Sequence, residues 1–550
     1  MLKKFKILFA VMLCLMLFTA ACGQAADDPD LDPDPDPDPI DDPGEDEPGD
    51  EGPIEGGTLT VAVANNPRNI DPRLQWDGAS MVPLSNLVDR FFTIAEDGTL
   101  RPLLATEWYA NDDSTEFTFE IREGATFHDG TDVTAESIAE SIRWTAAQPE
   151  YPQANFWTNL ESVEATDSHT LVVRTESPVA ATEFFRNRLY SPWPISVQQQ
   201  EDHGDEGVTE PISTGPFAFV SYTGDDQIVM ERFDDYWGGA PYLDQLVFRV
   251  IPDASTRRVE MEAGTVDVLM NVEPRDVEAF ESLGLNIISG SAPINAMVSL
   301  NLASEPLQDL AVRQAIAHAL NREAMIDRVF HGYATMATTY LHPSNIYHDS
   351  TVPGFDYDLD LARSLLDEAG WELGDDDYRI RDGERLELEI ASHEVEPWGI
   401  MSQILQDQLR SMGIAASITT TDTTAFYNSV RGGTYDIAYW VLSGNAWDQM
   451  GHPNLRTEDW GNISHMRDSS AEIQALQQVI NDIILEFDGA LGEDTREATT
   501  HELQRVMNEN VVTIPLWFPD RIYVTQPYVR GLEAPTVVGM IRYENAWLDK

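Results

Sequence analysis

The sequence predicts an α/β protein with two or more lobes, and three observations lead to this prediction. About 490 residues follow an acidic N-terminal segment, which is more than a single hydrophobic core normally supports. Strand and helix patterns alternate most clearly from residue 385 to 441, which favours a lobe with partly parallel strands. No repeat with a period of about 20 to 50 residues is visible, which argues against a solenoid or a propeller.

The first 21 residues have the layout of an export signal. Three lysines precede an apolar run from residue 7 to 18, and two alanines stand directly before Cys22. The run is too short to span a membrane. Bacterial lipoprotein signals place at this position the cysteine that receives diacylglycerol, although Thr19 replaces their usual Leu or Val. We expect residues 1–21 to be a signal peptide and Cys22 to be lipidated, with simple cleavage and secretion as the alternative.

The segment 22–57 is expected to be a disordered tether that starts at the lipid anchor. It is dominated by Asp, Glu, Pro and Gly and carries no basic residue, so burial cannot offset its ordering entropy. Repeated Asp-Pro pairs favour extended conformations, with a reach of up to ~100 Å at ~3.1 Å per residue. The tether would hold the folded part away from a membrane.

Charge and cysteine usage exclude several classes of partner and site. The chain has 95 Asp and Glu against 34 Lys and Arg, a formal charge of -61, which argues against nucleic acid as a partner. Nearly all basic residues of the folded part are arginines, which indicates a saline or an alkaline exterior. Cys14 lies in the signal peptide, so the folded part has no disulfide, no thiol catalysis and no thiolate metal site.

The strand and helix patterns begin directly after the tether. "GTLTVAVA" (57–64) alternates apolar and polar residues, which predicts a strand. "STEFTFEIREG" and "HTLVVRTE" predict two further strands that pair like a hairpin. The residues between them predict a helix that begins near Thr134, with Glu136 suited to its positive end.

Longer helices follow in the second half of the chain. One is expected from about residue 309 to 330, with Arg313, Arg322 and Glu323 facing outward. Another, in "DLDLARSLLDEAGW", has Gly370 as its C-terminal stop.

The region from 385 to 441 predicts an α/β unit. Its order is strand "RLELEI", a helix from about Trp398 to Met412, and then strands "IAASITT" and "YDIAYWVL". Ligands of such sheets collect at the loops after the carboxyl ends of the strands. This rule points to residues 442 to 453.

A secreted hydrolase is the competing class of protein, and its motifs are missing from the sequence. There is no H-E-x-x-H, no G-x-S-x-G and no G-x-x-x-x-G-K-[ST]. Carboxylate pairs are too abundant to be informative. We therefore expect a binding protein rather than an enzyme, with no cofactor.

Several segments together resemble the extracellular solute-binding proteins of family 5, which serve peptide and nickel ABC importers. They occur in the family's order and cover nearly the whole chain after the tether. These segments are "FTFEIREGATFHDGTDVTAESIAESIRW", "PISTGPFAFVSY", "ERFDDYWGGAPYLDQLVFRVIPDASTR", "MEAGTVDVL", "LQDLAVRQAIAHALNREAMI" and "ARSLLDEAGW".

The resemblance implies a two-lobed, periplasmic-binding-protein-like α/β fold (type II, similar to cluster C) with an extra domain inserted in the first lobe. Lobe I would comprise residues 58–92, 209–297 and 511–550, and the inserted domain 93–208. Lobe II would span 298–510. In this arrangement "STGPF" starts a strand that returns from the insertion, and "VVTIPLWFP" carries the chain back to lobe I. Crossing strands would let the lobes close on a ligand like a hinged trap.

The resemblance further implies a monomeric, lipid-anchored substrate-binding protein of an ABC importer that faces the periplasm or the extracellular space. Its partners would be the transmembrane subunits of the permease, the membrane through its lipid, and a small-molecule or peptide ligand. An oligopeptide or dipeptide is the first expectation for that ligand. A nickel or other metal chelate is the alternative within the family.

The segment "VLSGNAWDQMGHP" (441–453) follows a buried strand and should face the cleft. The resemblance implies an aspartate here that pairs with the α-amino group of the ligand, and in one alignment Asn445 takes its place. An amide cannot supply the charge that strengthens such a contact. Asp448 could take over this role, or could simply cap a turn.

A second alignment makes Gly444, Trp447 and Asp448 resemble the nickel-type segment W-G-x-x-Y-D, although Ser443 replaces its first aromatic residue. Two histidines would then approach a chelated metal: His452 and His465. The ligand-binding residues expected from both alignments are Trp440, Ser443, Gly444, Asn445, Trp447 and Asp448.

Overall fold

The computed structural model describes most of the chain after residue 51. The described ranges are 52–67, 70–74, 78–95, 99–187, 191–203, 208–292, 294–395, 397–443, 462–533 and 541–550. The predicted signal peptide, Cys22 and most of the predicted tether lie outside these ranges. None of the helices within them combines the length and the apolar composition that a bilayer crossing requires.

The described strands are short, apart from one strand of 13 residues near the C-terminus. In chain order they are β1 (Thr58–Val63), β2 (Phe92–Ile94), β3 (Leu100–Pro102), β4 (Ala105–Ala110), β5 (Glu116–Ile121), β6 (Leu160–Ala165), β7 (Thr170–Thr175), β8 (Phe217–Thr223), β9 (Gln227–Arg232), β10 (Gln245–Val250), β11 (Val268–Leu269), β12 (Asn286–Ser291), β13 (Ile294–Leu300), β14 (Ala334–Met336), β15 (Glu372–Leu373), β16 (Arg379–Arg381), β17 (Glu384–Arg385), β18 (Glu387–His393), β19 (Ala415–Thr421), β20 (Ile437–Ser443), β21 (Thr513–Thr525), β22 (Val529–Arg530) and β23 (Trp547–Leu548).

The described helices alternate with these strands. They are α1 (Gly78–Leu87), α2 (Ala135–Ala146), α3 (Ala181–Asn187), α4 (Val197–His203), α5 (Ala254–Glu262), α6 (Val277–Ser282), α7 (Glu305–Gln308), α8 (Leu310–Ala319), α9 (Arg322–Met325), α10 (Leu359–Glu368), α11 (Trp398–Ser411), α12 (Thr423–Gly432), α13 (Ala471–Gly489) and α14 (Glu493–Glu509).

The largest sheet contains 12 strands. Ten of them follow the order β19-β18-β20-β13-β21-β11-β1-β10-β9-β8, and β12 and β14 also pair with β21. At one end β18 is parallel to β19 and β20, and further along β1 is parallel to β10 and β11. Parallel strands with helical connections are the mark of α/β lobes.

A separate sheet, in the order β4-β5-β7-β6, shares the hydrophobic core of the first half of the chain. That core, here called the first core, contains Phe119 of β5 and Phe184 of α3 together with Val61 of β1 and Phe248 of β10. Because one apolar cluster spans both sheets, they form one packed body.

A second core lies under the other end of the large sheet. It joins Val298 of β13 and Ile390 of β18 to Ile316 of α8, Leu405 of α11 and Leu503 of α14. The chain passes between the two cores through β12 and β13 and again through β21. Accordingly, β21 contributes residues to both cores.

Most of the sequence-predicted elements are confirmed. The strands expected at 57–64 and in "STEFTFEIREG" and "HTLVVRTE" are β1, β5 and β7, and β5 pairs directly with β7. Helix α2 begins after Thr134, whose side chain accepts a hydrogen bond from the Ser137 amide in a capping box. The predicted order from 385 to 441 corresponds to β18, α11, β19 and β20.

The prediction of one helix from about 309 to 330 is wrong. Helix α8 ends at Ala319, Leu320 adopts an extended conformation, and α9 starts after Asn321. The Asn321 side chain accepts a hydrogen bond from the Ala324 amide at 3.0 Å, so it caps a new helix. A π-helical turn follows at Ile326–Phe330.

The outward orientation predicted for Arg313 and Arg322 is also wrong, because both side chains are buried. Arg313 donates hydrogen bonds to the carbonyl oxygens of Leu307, Gln308 and Asn510. Arg322 donates in the same way to carbonyl oxygens of three distant segments. Burial lowers the pKa of each arginine to about 10.

Candidate functional site

The carboxyl ends of β18, β19 and β20 meet at one edge of the large sheet. Residues Glu387 to His393 pair in parallel register with Ala415 to Thr421, and β18 also pairs in parallel with β20. In open α/β sheets, ligands bind beyond this kind of edge.

Five aromatic side chains, here called the edge cluster, surround the ends of these strands: His393, Trp398, Phe426, Tyr427 and Trp440. The ring of His393 lies 5.1 Å from Trp398 and 4.9 Å from Phe426 between centroids. Trp440 stacks with Phe426 at 6.5 Å and meets Tyr427 edge-on at 5.3 Å. These spacings are typical of favourable aromatic pairs.

Local sequence places these rings around the strand ends. Trp398 is the first residue of α11, directly after β18. Asp422 follows β19 and accepts a hydrogen bond from the Ala425 amide at 2.9 Å, so it caps α12. Helix α12 therefore begins at the sheet edge, and its first turn presents Phe426 and Tyr427 there.

Two ring nitrogens of the edge cluster have no hydrogen-bond partner within the described part of the chain. They are Nε1 of Trp440 and Nδ1 of His393, and each side chain is buried. An unpaired buried polar atom costs about 1–3 kcal/mol, so a group that pairs with it restores that free energy. Burial lowers the pKa of His393, although Glu394 works in the opposite direction, so the neutral imidazole is favoured.

The structure places two of the sequence-predicted site residues beside this edge. Trp440 belongs to the edge cluster, and Ser443 is the last residue of β20. The other four predicted ligand-binding residues, Gly444, Asn445, Trp447 and Asp448, lie outside the described residues, as does His452.

His465, predicted as a second histidine near a chelated metal, has structural contacts. Its Nε2 lies 2.8 Å from the carbonyl oxygen of Val430, near the end of α12. Its ring lies against Gly433, where an added Cβ would come within 3.1 Å of Nδ1. The histidine ring thus helps to fix the end of α12. Groups of three or more metal-ligating side chains are absent from the described ranges.

Sequence reasoning missed His393 and Phe426 as site residues. The usable signals were a histidine at the end of a predicted strand and an aspartate that caps a helix directly after the next strand.

The junction between the two cores carries a half-buried histidine, His342. The Ala292 amide after β12 donates to the carbonyl oxygen of Pro519 in β21 at 3.1 Å. His342 Nε2 lies 3.0 Å from Oγ of Ser291, and its ring meets Phe518 edge-on. Burial, with a smaller effect of a neighbouring histidine, lowers the pKa of His342 to about 4.

With the fold and this edge established, the sequence can be compared with known proteins. The family model for bacterial extracellular solute-binding proteins, family 5 Middle, matches residues 99–461. The chain belongs to solute-binding protein family 5. Family 5 proteins bind small-molecule or peptide ligands and work with ABC permeases.

Two family 5 relatives have names that indicate different ligands. The chain is 27% identical to the nickel-binding periplasmic protein of Escherichia coli (strain K12) over 501 residues, which covers 88% of this chain and 94% of that protein. It is 28% identical to the glutathione-binding protein GsiB of Shigella boydii over 369 residues, or 66% of this chain and 69% of that protein.

A solved family 5 structure has the same fold. The ABC transporter substrate binding protein CtaP of Listeria monocytogenes matches with a TM-score of 0.78 and 23% sequence identity, covering 90% of this chain and 100% of that chain. The two-lobed α/β fold expected from the sequence is thereby confirmed.

Proposed function

We propose that this protein captures oligopeptides or dipeptides by closure of its two lobes and delivers them to the permease of an ABC importer. The observation that carries the proposal is the pair of buried nitrogens in the edge cluster, on Trp440 and His393, that have no hydrogen-bond partner among the described residues. They stand at the strand edge where α/β sheets bind ligands. A ligand at this edge would meet aromatic faces and hydrogen-bonding nitrogens together.

Peptides have the chemistry to satisfy both features. Peptide carbonyl oxygens accept hydrogen bonds, and the indole Nε1–H of Trp440 can only donate. The neutral His393 ring can donate or accept according to its tautomer. Apolar side chains of a peptide would cover the aromatic faces. The glutathione-binding relative supports this ligand class, because glutathione is a tripeptide.

The segment after β20 supplies the proposed anchor for the ligand's charged end. Asp448 would pair with the α-amino group, and Asn445 with Trp447 would contact the neighbouring peptide unit. Ser443 and Gly444 would let the backbone approach the ligand closely. This assignment rests on the sequence resemblance and on the position of the segment directly after β20.

A nickel or other metal chelate is the second candidate ligand, and the nickel-binding relative favours it. In that case His452 would approach the chelated metal. His465 is a weaker candidate, because its Nε2 already pairs with the Val430 carbonyl.

We further propose that the protein is attached to the membrane through a lipid on Cys22. Lipidation of Cys22 and the acidic tether would keep a monomer outside the cytoplasm and close to the permease. The periplasmic relatives support an extracytoplasmic location.

The test is to identify what the protein binds. Purified protein is denatured, and any released ligand is identified by mass spectrometry. The refolded, ligand-free protein is then titrated by calorimetry with a set of tripeptides, with glutathione and with a nickel–histidine complex. Binding of peptides supports the proposal, and binding of the metal complex alone would replace it by the second candidate.

We also propose that the protein is not an enzyme. The alternative to be tested is that it is a secreted peptide hydrolase. The same tripeptides are incubated with a homogeneous preparation, and cleavage products are quantified over time. Intact peptides support a binding protein, whereas steady product release would defeat the transport proposal.

A further inference from the structure

Helices α3 and α14 contact each other through two pairs of side chains. Glu183 of α3 and Arg496 of α14 form an ion pair with 2.9 Å between Oε2 and Nη2. The hydroxyl of Thr182 donates a hydrogen bond to the carboxylate of Glu493 at the start of α14. The paired residues stand 311 and 313 positions apart in the chain, so tertiary structure alone brings them together.

The two helices belong to different cores. Phe184 and Phe185 of α3 are buried in the first core, where they contact the rings of β5. Leu503 and Met507 of α14 are buried in the second core. The contact therefore links the two lobes, in addition to the strands through which the chain passes between them.

Arg496 is held in place by its own lobe, where it donates to neutral oxygens and where the nearby Glu493 carboxylate bonds the Tyr347 hydroxyl. The Arg496 side chain is only 1% exposed. Its Nε lies 3.3 Å from the hydroxyl of Tyr347, and its Nη1 donates to the carbonyl oxygens of Phe487 and Ala490. The guanidinium also lies 3.7 Å over the ring of Phe487. The carboxylate that pairs with this buried cation comes from Glu183, on the other lobe.

Unlike Arg496, Glu183 is partly exposed to solvent. Its side chain is 40% exposed and lies on the wall of a cavity of about 280 Å³ whose other walls include Trp157, Phe184 and Asn187. Within the described residues, no ion pair of Glu183 with its own lobe is present. The carboxylate is therefore free to leave when the lobes separate.

We infer that the Glu183–Arg496 pair is a closure contact that favours the closed arrangement of the two lobes before any ligand binds. Separation of the lobes removes the carboxylate in direct contact with the Arg496 guanidinium and leaves Glu493, which is bonded to Tyr347, as the nearby negative charge. Breaking a direct pair with a buried cation is costly. A contact made only in the closed state raises the population of that state. The inference concerns the equilibrium between the lobes and holds whichever ligand the protein carries.

The first test compares the size of ligand-free variants. Wild type, Glu183→Gln and the control Glu161→Gln are stripped of ligand by unfolding and refolding, and small-angle scattering is recorded at equal concentration. Glu161 is an exposed glutamate of β6 without an ion pair among the described contacts. Glu183→Gln should have a larger radius of gyration than wild type, and Glu161→Gln the same. Equal curves for all three proteins would overturn the inference.

A second measurement separates lobe opening from simple loss of stability. Amide exchange in α3 and in the first turn of α14 should become about tenfold faster in Glu183→Gln, the effect of losing one charge-assisted hydrogen bond. Exchange in the strands of the second core, such as β18, should stay unchanged. Faster exchange throughout the second core would mean that the pair stabilises the lobe itself, and this result would also overturn the inference.

Discussion

Asp89 and Arg542 stand 453 positions apart in the chain and form a buried ion pair, with 2.7 Å between Oδ1 and Nη1. The same carboxylate accepts hydrogen bonds from Trp237 Nε1 at 2.6 Å and from the Tyr236 hydroxyl at 3.2 Å. Burial works against the charged form of Arg542, but Glu544 and Asp89 raise its pKa well above the usual value. The pair thus ties the C-terminal residues to the first core.

Replacement of Asp89 by asparagine should destabilise the protein by about 3 kcal/mol, because Arg542 would keep a buried charge that has lost one of its carboxylate partners. Chemical denaturation measures this change. The matched control is Asp234→Asn, since the Asp234 side chain in its pair with Arg232 is 74% exposed and should contribute at most about 1 kcal/mol. Equal losses for both variants would contradict a special role for the buried pair.

His128 is half-buried and neutral, and it uses both ring nitrogens. Its Nδ1 accepts a hydrogen bond from the Ser213 amide at 3.2 Å, and its Nε2 lies 3.0 Å from the carbonyl oxygen of Gly215. Burial lowers the pKa of His128 to about 4, although the Gly215 carbonyl and the charges of Asp89 and Asp129 work in the opposite direction. A proton on Nδ1 would also be directed at the N–H of Ser213, and the hydrogen bond from that amide would be lost.

This lowered pKa predicts a pH-dependent stability. An unfolded histidine titrates near pH 6.5, so between pH 6.5 and about 4 the unfolded chain binds a proton that folded His128 does not. Stability is then lost as the pH falls through this window, at up to about 1.4 kcal/mol per pH unit. In His128→Gln the unfolding free energy should fall less steeply between pH 6 and about 4.5. Parallel curves for wild type and variant would contradict the prediction.

Local sequence patterns predicted the elements whose signals are contained in a few residues. The alternation in "RLELEI" and the helix start near Thr134 depend on neighbours in the chain, and β18 and α2 appear where expected. The break after Ala319 was missed, because the helical pattern was followed through Asn321, whereas the Asn321 side chain caps a new helix. Burial of Arg313 was missed because one of its carbonyl acceptors, that of Asn510, lies 197 positions away in the chain.

The site was predictable only where it follows a strand. Trp440 could be selected because β20 has a clear strand pattern and ligands bind beyond strand ends. His393 and Phe426 were not selected, because their proximity to Trp440 depends on the order of β18, β19 and β20 in the sheet. Sequence periodicity does not determine that order.

The indole of Trp440, whose Nε1 has no partner in the described part of the chain, predicts a specific loss of ligand affinity. Trp440→Phe keeps an aromatic ring in the edge cluster but removes the Nε1–H donor, so binding of a tripeptide should weaken by about 3- to 10-fold. Trp371→Phe is the matched control, because Trp371 also has a buried Nε1 without a described partner but belongs to the second core. Equal affinities of Trp440→Phe and wild type in calorimetry would show that the indole N–H does not bind the ligand.

The lipid anchor predicts a change of location without a change of fold. Cys22→Ser should release the protein from the membrane fraction, because no other attachment is proposed. Its thermal unfolding midpoint should equal that of wild type, since the predicted tether separates Cys22 from the folded part. Fractionation followed by immunoblotting measures the release, and unaltered membrane retention of the variant would reject the anchor.

The proposed ammonium contact of Asp448 predicts that one charge in the segment after β20 dominates peptide affinity. Asp448→Ala should weaken peptide binding by roughly 1.5 to 3 kcal/mol, the worth of a hydrogen bond to a charged group, while Asn445→Ala should cost less. Calorimetry with a free peptide and its N-acetylated form supplies the decisive comparison, because acetylation removes the positive charge of the ligand. If Asp448 is the partner, acetylation weakens binding to wild type and has little further effect on Asp448→Ala. An equal loss in both proteins would show that another group binds the ammonium.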